Sequence, residues 1–173
     1  MRKVILYVAV SLDGFIEGPN GEYDWCFSDQ DYGMSTFFKR IDTIFMGRKS
    51  YEMTTKIEGP NPWKGMMTYV FSNSLAEVKD KNTRLVSGDI RSKVESIKKE
   101  QGKDIWLFGG AELTATLMTE ALVDEIWLAV HPILLGSGKS LFQGISHRIK
   151  MKLIDSKSYS TGLVSLFYTI GKS

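Results

Sequence analysis

The sequence predicts one α/β domain in which helices cover both faces of a mixed, mostly parallel central sheet. Short apolar runs rich in β-branched residues, such as residues 4–10, are typical of strands buried on both faces. Segments with helical periodicity follow several of these runs, and this alternation indicates a sheet covered by helices. Near the end of the chain, apolar and polar residues alternate on either side of Gly162, which predicts an antiparallel C-terminal hairpin. We therefore expect a three-layer α/β/α fold and a single domain over residues 1–173.

The first half of the chain supplies three of the expected strands and two helices. The strands are predicted at residues 4–10, 43–46 and 67–71, and the helices at residues 31–40 and 48–56. A turn-rich stretch over residues 12–28 follows the first strand, because Asp-Gly and Gly-Pro-Asn-Gly are turn-forming sequences. A loop rich in glycine and proline at residues 59–63 is expected to end the second helix.

The second half continues the alternation and then changes to the hairpin. Strands are predicted at residues 83–86, 105–108 and 125–130, and hairpin segments near residues 149–155 and 163–170. One helix is predicted from about Ile90 to a stop at Gly102, and another after Gly110 through Leu113, Leu117 and Met118. Ile90, Val94 and Ile97 share one face of the first of these helices, opposite a lysine-rich face, which is the pattern of a helix packed on a core.

Composition excludes several classes of function. The 22 basic and 20 acidic residues leave a net charge of +2 with no dense basic block, which argues against a nucleic-acid partner. Cys26 is the only cysteine and there are two histidines, so we expect neither a disulfide nor a zinc site. The apolar runs are shorter than a signal peptide core or a membrane span. The expectation is a soluble, cytoplasmic protein without a membrane partner.

Two glycine-containing junctions, at residues 46–50 and 108–111, connect a predicted strand to a predicted helix. Glycine allows the backbone to approach a phosphate closely, and the first N–H groups of a helix point towards a bound anion. Arg48 and Lys49 add cationic donors that suit a further phosphate group on a ribose. Neither junction is a complete nucleotide-binding fingerprint, and glycines that merely allow tight turns are the alternative explanation.

Six motifs spread over nearly the whole chain carry a family resemblance. They are VAVSLDGFI (8–16), IFMGRKSYE (44–52), VFSN (70–73), IWLFGGAEL (105–113), LVDEI (122–126) and PILLGSGKSLF (132–142). In this order the motifs resemble the dihydrofolate reductase superfamily. Within it, they are most similar to the reductase domain of the bifunctional riboflavin-biosynthesis deaminase/reductase and to its stand-alone relatives. The resemblance implies a dihydrofolate-reductase-like fold, an NADPH cofactor and a homodimer.

The resemblance also implies which residues hold the cofactor. The segment from Gly47 to Ser50, helped by Ser72, would bind the diphosphate and the 2′-phosphate, and the residues from Gly109 to Glu112 would lie beneath the diphosphate and nicotinamide. The full set of expected cofactor residues is Ala9, Ile16, Gly47, Arg48, Lys49, Ser50, Ser72, Asn73, Phe108, Gly109, Gly110, Ala111 and Glu112. Because only NADPH carries a 2′-phosphate, the Arg48-Lys49 pair favours it over NADH.

The expected substrate site departs from the patterns of both branches. Phe15 and Phe108 stand where the riboflavin branch commonly has a lysine and a glutamate, and Met34 stands where dihydrofolate reductases have a carboxylate. A thioether cannot bind the amino-nitrogen edge of a pterin as a carboxylate does. The residues expected around the substrate are Tyr7, Trp25, Met34 and Phe38. Aromatic faces suit a flat heterocycle, although Phe38 is also explained as a core residue.

Hydride transfer to such a ring also requires a proton. Asp13 and Asp31 are the candidate catalytic acids, with Glu17, Tyr7 and a water molecule as further candidates. Asp13 precedes Gly14, and Asp-Gly is also a common turn sequence.

The expected function is NADPH-dependent reduction of a small planar nitrogen heterocycle, of the 5-amino-6-(5-phosphoribosylamino)uracil reductase type. A dihydrofolate or other pteridine reductase is the first alternative. A non-catalytic nucleotide-binding module is the second, because no proton donor is evident in the sequence.

Overall fold

A computed structural model of the chain describes residues 1–56, 63–78 and 80–171. Within this part of the chain the strands are β1 (Val4–Ser11), β2 (Phe15–Glu17), β3 (Ile41–Gly47), β4 (Met67–Phe71), β5 (Thr83–Val86), β6 (Asp104–Gly109), β7 (Glu125–His131), β8 (Lys139–Ser140), β9 (Met151–Ser158) and β10 (Val164–Ile170). The helices are α1 (Met34–Arg40), α2 (Arg48–Thr54), α3 (Ile90–Lys99) and α4 (Ala111–Thr119). The glycine- and proline-rich loop predicted at residues 59–63 lies outside the described residues except for Trp63.

Eight of the strands form one sheet in the order β5-β4-β3-β6-β1-β7-β10-β9. All neighbours from β5 to β7 are parallel, whereas β10 pairs with β7 and β9 in the antiparallel sense. The predicted mixed sheet with an antiparallel C-terminal hairpin is confirmed. Because the parallel strands end at the same edge, the loops after β1, β3, β4 and β6 meet there.

The core lies on both faces of this sheet, which is why the central strands are apolar along their whole length. On one face, Leu6 of β1 belongs to a buried cluster with Val94 of α3 and Leu117 of α4. On the other face, Tyr7 belongs to a cluster with Phe37 of α1. Successive residues of β1 therefore contribute to opposite layers, as the period of a strand requires.

Three local features differ from the predicted pattern. Helix α1 begins at Met34 rather than at residue 31, because Gly33 has a φ of 88° and interrupts the helix there. Helix α2 ends at Thr54 rather than at residue 56. The short antiparallel ladder between β2 and β8 was not predicted, since two- and three-residue strands carry no periodicity that could reveal them.

At the opposite edge of the sheet, partly exposed charged groups form ion pairs around the buried Glu125. Glu125 accepts hydrogen bonds from Lys3 Nζ at 2.7 Å and from Arg40 at 3.0 Å, and Arg40 also contacts Asp104 at 2.8 Å. Burial alone raises the pKa of Glu125, but hydrogen bonds from Arg40 and Lys3 outweigh it and lower the pKa. No helix in the described ranges has the length and apolar content needed to cross a membrane.

Candidate active site

Two adjoining cavities lie at the carboxyl edge of the parallel strands. The first has a volume of about 320 Å³ and lies where β3, β4 and β6 end. Glycines, basic residues and small polar residues form much of its wall, namely Gly47, Arg48, Lys49, Ser50, Ser72, Asn73, Gly110, Ala111, Glu112 and Lys139. Nine of the thirteen predicted cofactor residues therefore share one wall with Lys139, and we call this space the cationic cavity.

The two glycine junctions predicted from sequence lie side by side in this wall. Gly47 precedes α2 and Gly110 precedes α4, and neither helix start is capped by a side chain. A Cβ atom built on Gly47 would lie 3.8 Å from both Gly109 O and Gly110 N, so the two segments are in direct contact. The backbone at both helix starts is left open to a ligand because these N-cap residues have no side chain.

The basic residues of the cationic cavity are held only by weak ion pairs. Arg48 lies 3.8 Å from Glu52, and Lys49 lies 3.9 Å from Glu112, with all four side chains well exposed. Exposed pairs of this kind contribute little to stability, so these cations can turn to a bound anion at small cost.

Ser72 and Asn73 follow β4 and line the same cavity, but their acceptor atoms are already used. Ser72 Oγ accepts the backbone N–H of Ser74 at 3.2 Å and of Leu75 at 3.0 Å. Asn73 Oδ1 accepts the N–H of Gly88 at 3.1 Å. The hydroxyl hydrogen of Ser72 and the amide nitrogen of Asn73 are the groups with which they could donate to an anion.

The second cavity has a volume of about 810 Å³ and is predominantly apolar, and we call it the aromatic cavity. It shares Lys49, Ser50, Gly110 and Lys139 with the cationic cavity, so the two cavities adjoin. Most of its wall consists of aromatic and apolar side chains, including Tyr7, Ala9, Ile16, Phe27, Tyr32, Met34, Trp106, Phe108, Ala129 and Leu163.

Two of the four predicted substrate residues line this cavity and two do not. Tyr7 and Met34 are in its wall. Trp25 instead packs edge-on against His131, with ring centroids 5.3 Å apart, and Phe38 packs on Phe37 and Trp106. For Phe38 the core explanation is therefore the one that fits the structure. The direction of a side chain within a loop or a short helix has no signal in the sequence.

Tyr7 contributes a phenol at the wall of the aromatic cavity. Its hydroxyl donates to the carbonyl oxygen of Tyr32 over 3.4 Å, which is a long hydrogen bond. Burial, with smaller contributions from Tyr159 and Asp31, raises the pKa of Tyr7 to about 12. The phenol therefore stays protonated at neutral pH and can donate a hydrogen bond to a ligand.

The geometry argues against Asp13 and Asp31 as catalytic acids. Asp13 lies outside both cavity walls and accepts hydrogen bonds from Ser11 Oγ at 2.6 Å and Gly136 N at 2.8 Å. Asp31 lines the aromatic cavity, but it accepts from both the hydroxyl and the backbone N–H of Ser35 at the start of α1. Hydrogen bonds from Ser11 and Ser35 respectively lower the pKa of the two carboxyls. A general acid needs a raised pKa, so both residues serve instead to order their loops.

His131, the last residue of β7, is a functional-site residue whose role the sequence did not define. Nδ1 lies 2.9 Å from the carbonyl oxygen of Ala129, and Nε2 accepts the N–H of Phe27 at 3.1 Å. This pattern requires the neutral imidazole with its proton on Nδ1. Burial lowers the pKa of His131. The side chain therefore attaches the loop over residues 18–33, which contributes much of the aromatic wall, to the central sheet.

Lys139 is the second residue that the sequence analysis did not single out, although it lies in the PILLGSGKSLF motif. It belongs to both cavity walls and forms a 3.4 Å ion pair with Glu17. Across residues 1–56, 63–78 and 80–171, no three His, Cys, Asp or Glu side chains are grouped closely enough to hold a metal ion.

Comparison with known proteins agrees with this geometry. The chain is 43% identical over 178 residues to the Bacillus subtilis protein YyaP, with 96% of this chain and 94% of that protein covered. It superimposes on the structure of a putative riboflavin biosynthesis protein from Shewanella sp. PV-4 with a TM-score of 0.87 and 25% identity, covering 98% and 99% of the two chains. It shares its fold with dihydrofolate reductase from Enterococcus faecalis, with a TM-score of 0.70, 15% identity and coverage of 98% and 97%.

The family comparison covers nearly the whole chain. Residues 2–165 match the family model of the RibD C-terminal domain. The family resemblance and the dihydrofolate-reductase-like fold expected from the six motifs are confirmed. The chain belongs to the RibD C-terminal domain family.

Proposed function

We propose that the protein is an NADPH-dependent reductase of a small planar nitrogen heterocycle, of the 5-amino-6-(5-phosphoribosylamino)uracil reductase type. The single observation that carries this proposal is that two cavities with different chemistry adjoin and share four wall residues. One has basic and glycine residues suited to phosphates, and the other has aromatic walls suited to flat rings. When bound, NADPH supplies the hydride for the reduction.

The residues around the cationic cavity fit the phosphate groups of NADPH. Gly47 and Gly110 leave the backbone of both junctions accessible, since a Cβ atom at either position would fill the space beside Gly109 or Ser50. Arg48 and Lys49 offer charge-assisted hydrogen bonds to a 2′-phosphate. Ser50, Ser72, Asn73, Ala111 and Glu112 complete the proposed cofactor set on this side, and Ala9, Ile16 and Phe108 complete it in the aromatic cavity.

The chain's own contribution to the reduction is a shaped, predominantly apolar cavity. The aromatic walls orient a planar ring and exclude water from the reacting face. Tyr7 keeps its proton at neutral pH, and its hydroxyl can exchange the long 3.4 Å hydrogen bond to Tyr32 O for one to a ring nitrogen or carbonyl oxygen of the substrate. This positions the substrate, and Glu17, which lines the same cavity, and water are the remaining candidate sources of the proton that hydride transfer requires.

Other functions have less support. Met34 lines the cavity without offering the hydrogen bonds that a pterin edge requires, and the carboxylate of Asp31 is occupied by Ser35. A module that only binds nucleotides would use the aromatic cavity of about 810 Å³ for the nicotinamide alone, whereas its wall extends beyond the expected cofactor residues to Tyr7 and Met34.

Replacing Arg48 with alanine is expected to weaken NADPH binding by about 10- to 100-fold, because a charge-assisted contact to the 2′-phosphate is lost. NADH affinity should change by less than about twofold on the same grounds. Titration of tryptophan fluorescence measures both, and Lys93→Ala on the exposed face of α3 is the matched control. An equal loss for both dinucleotides would contradict the assignment. In a separate assay, the protein and NADPH are mixed with unphosphorylated or phosphoribosylated aminopyrimidines or with pterins. The compound that causes loss of NADPH absorbance is the substrate.

The homodimer implied by the family resemblance is also part of this proposal. The edge strand β9 is exposed along its whole length and presents Met151, Leu153 and Ile154 to solvent, with Ile154 58% exposed. Such an apolar edge suits pairing with a second copy. Light scattering after size exclusion should give twice the mass of the chain, and Leu153→Lys with Ile154→Lys should give the monomer mass. A monomer in the unmodified protein would refute the dimer.

A further inference from the structure

We propose that Lys139 is the central cation of the diphosphate subsite and that Asp13 and Gly138 are positioning residues that hold it there. This inference rests on the proposed function, since it assumes that a dinucleotide occupies the joined cavities. It gives a role to the PILLGSGKSLF segment, whose contribution to the site the sequence left open.

Lys139 lies where the two cavities adjoin, and we call this place, bordered by the residues that line both cavities, the seam. It lines both, together with Lys49, Ser50 and Gly110. A Cβ atom built on Gly110 would lie 3.9 Å from Lys139 Nζ and 3.5 Å from Ser50 Oγ. The ammonium group is therefore close to the glycine junction that opens α4, where the two halves of a dinucleotide would join.

Lys139 is also the most buried of the basic residues in this wall. Its side chain is 25% exposed, compared with 44% for Arg48 and 70% for Lys49. A charge that is less exposed to water interacts more strongly with an anion, because solvent screens it less. Lys139 is accordingly better placed than Arg48 or Lys49 to dominate the interaction with a diphosphate.

The backbone around Lys139 is built to bring the side chain to this place. In the β2–β8 ladder, Lys139 is paired with Glu17, and both residues line the aromatic cavity. Gly138 has a φ of 136°, and a Cβ atom there would lie 2.2 Å from the carbonyl oxygen of Glu17. Only glycine allows so close an approach of the two strands.

Asp13 fixes the other end of the same segment. Its carboxylate accepts the N–H groups of Leu135 at 3.2 Å and Gly136 at 2.8 Å. The backbone N–H of Leu141 donates to Gly14 O at 2.9 Å, so the segment is attached on both sides of Lys139. The aspartate in the SLDG motif therefore acts on the site through the loop that carries Lys139.

Glu17 is the counter-ion that a diphosphate would replace. Its Oε1 atom lies 3.4 Å from Lys139 Nζ, and its side chain is 34% exposed. Removing this carboxylate should free Lys139 for the ligand, whereas removing Lys139 should leave a carboxylate that repels the ligand. The two substitutions are thus expected to act in opposite directions.

Lys139→Gln is expected to weaken binding of NADPH and of ADP-ribose by about 10- to 100-fold and to leave 2′-AMP binding unchanged. Lys139→Arg should retain most of the affinity for NADPH and ADP-ribose. Arg48→Ala should show the reverse pattern, with weaker binding of 2′-AMP and unchanged binding of ADP-ribose. Glu17→Gln should bind ADP-ribose more tightly than the unmodified protein. Isothermal titration calorimetry measures each affinity, and circular dichroism monitors folding.

Each result decides the question. Unchanged ADP-ribose affinity in Lys139→Gln would overturn the inference and would indicate that the lysine serves a phosphate of the substrate. Equal losses for ADP-ribose and 2′-AMP would also overturn it. If the unmodified protein bound no dinucleotide at all, that result would contradict the proposed function itself, and not only the role of Lys139. For positioning, Asp13→Asn should weaken ADP-ribose binding in the unmodified background and have little further effect in Lys139→Gln, whereas additive losses would contradict that role.

Discussion

Replacing Phe37 with alanine is expected to lower the free energy of unfolding by about 3–5 kcal/mol, the cost of deleting a fully buried aromatic side chain. Phe37 is 0% exposed, and its ring lies 4.7 Å from Tyr7, 5.6 Å from Trp106 and 5.3 Å from Trp127, measured between centroids. Removal would leave a cavity between α1 and the sheet. Urea denaturation followed by circular dichroism measures the change.

Phe38 provides the matched control for this prediction. It is the next residue on the same helix and is only partly buried, so Phe38→Ala should cost clearly less. Because Tyr7 rests on the ring of Phe37, the Phe37 variant should also bind substrate more weakly, while dinucleotide binding in the cationic cavity is retained. Equal losses of stability in the two variants would contradict the packing described for α1.

Replacing His131 with leucine is expected to cost about 2–4 kcal/mol of stability at pH 7.5, since two backbone hydrogen bonds lose their partner inside the protein. The side chain is 3% exposed and joins Phe27 N to Ala129 O through its two ring nitrogens. The variant should also release the loop over residues 18–33 and weaken substrate binding. Denaturation at fixed pH and ligand titration measure the two effects.

The same residue gives stability a pH dependence with a defined sign. Burial lowers the pKa of His131 below its ordinary 6.5, so between these values the unfolded chain binds more protons than the folded one. The contribution of neutral His131 to the free energy of unfolding is therefore fully present above pH 6.5. It is lost as the pH falls through the pKa of His131 in the folded protein. His131→Leu should flatten this slope, whereas His147→Gln, at the exposed second histidine, should preserve it. If the free energy of unfolding of His131→Leu depended on pH as strongly as that of the unmodified protein, the pH dependence would come from other groups.

The sequence predicted the sheet and the cationic cavity well because both depend on local patterns. Apolar runs of strand length gave β1, β3, β4 and β6, and the glycines at 47 and 110 mark the point where a strand turns into a helix. The location of the site then follows from the topology, since parallel strands end at one edge.

What the sequence could not predict depends on long-range contacts. The β2–β8 ladder pairs residues more than 120 positions apart, and its strands are too short to show a period. The orientation of Trp25, and the use of Asp13 as an acceptor for a distant loop, likewise appear only when the chain is folded. The role of Lys139 has no signal in the sequence, because a single lysine after glycine resembles any surface residue. Only the folded β2–β8 ladder brings it to the seam.

The wall common to the two cavities has a thermodynamic consequence. Lys49, Ser50, Gly110 and Lys139 border both spaces, so a ligand in one cavity contacts residues that also face the other. If binding in one cavity changes the affinity of the other by some factor, the reverse effect has the same factor, in either order of addition. The four shared positions are where such a coupling would arise, and it would involve no separate domain.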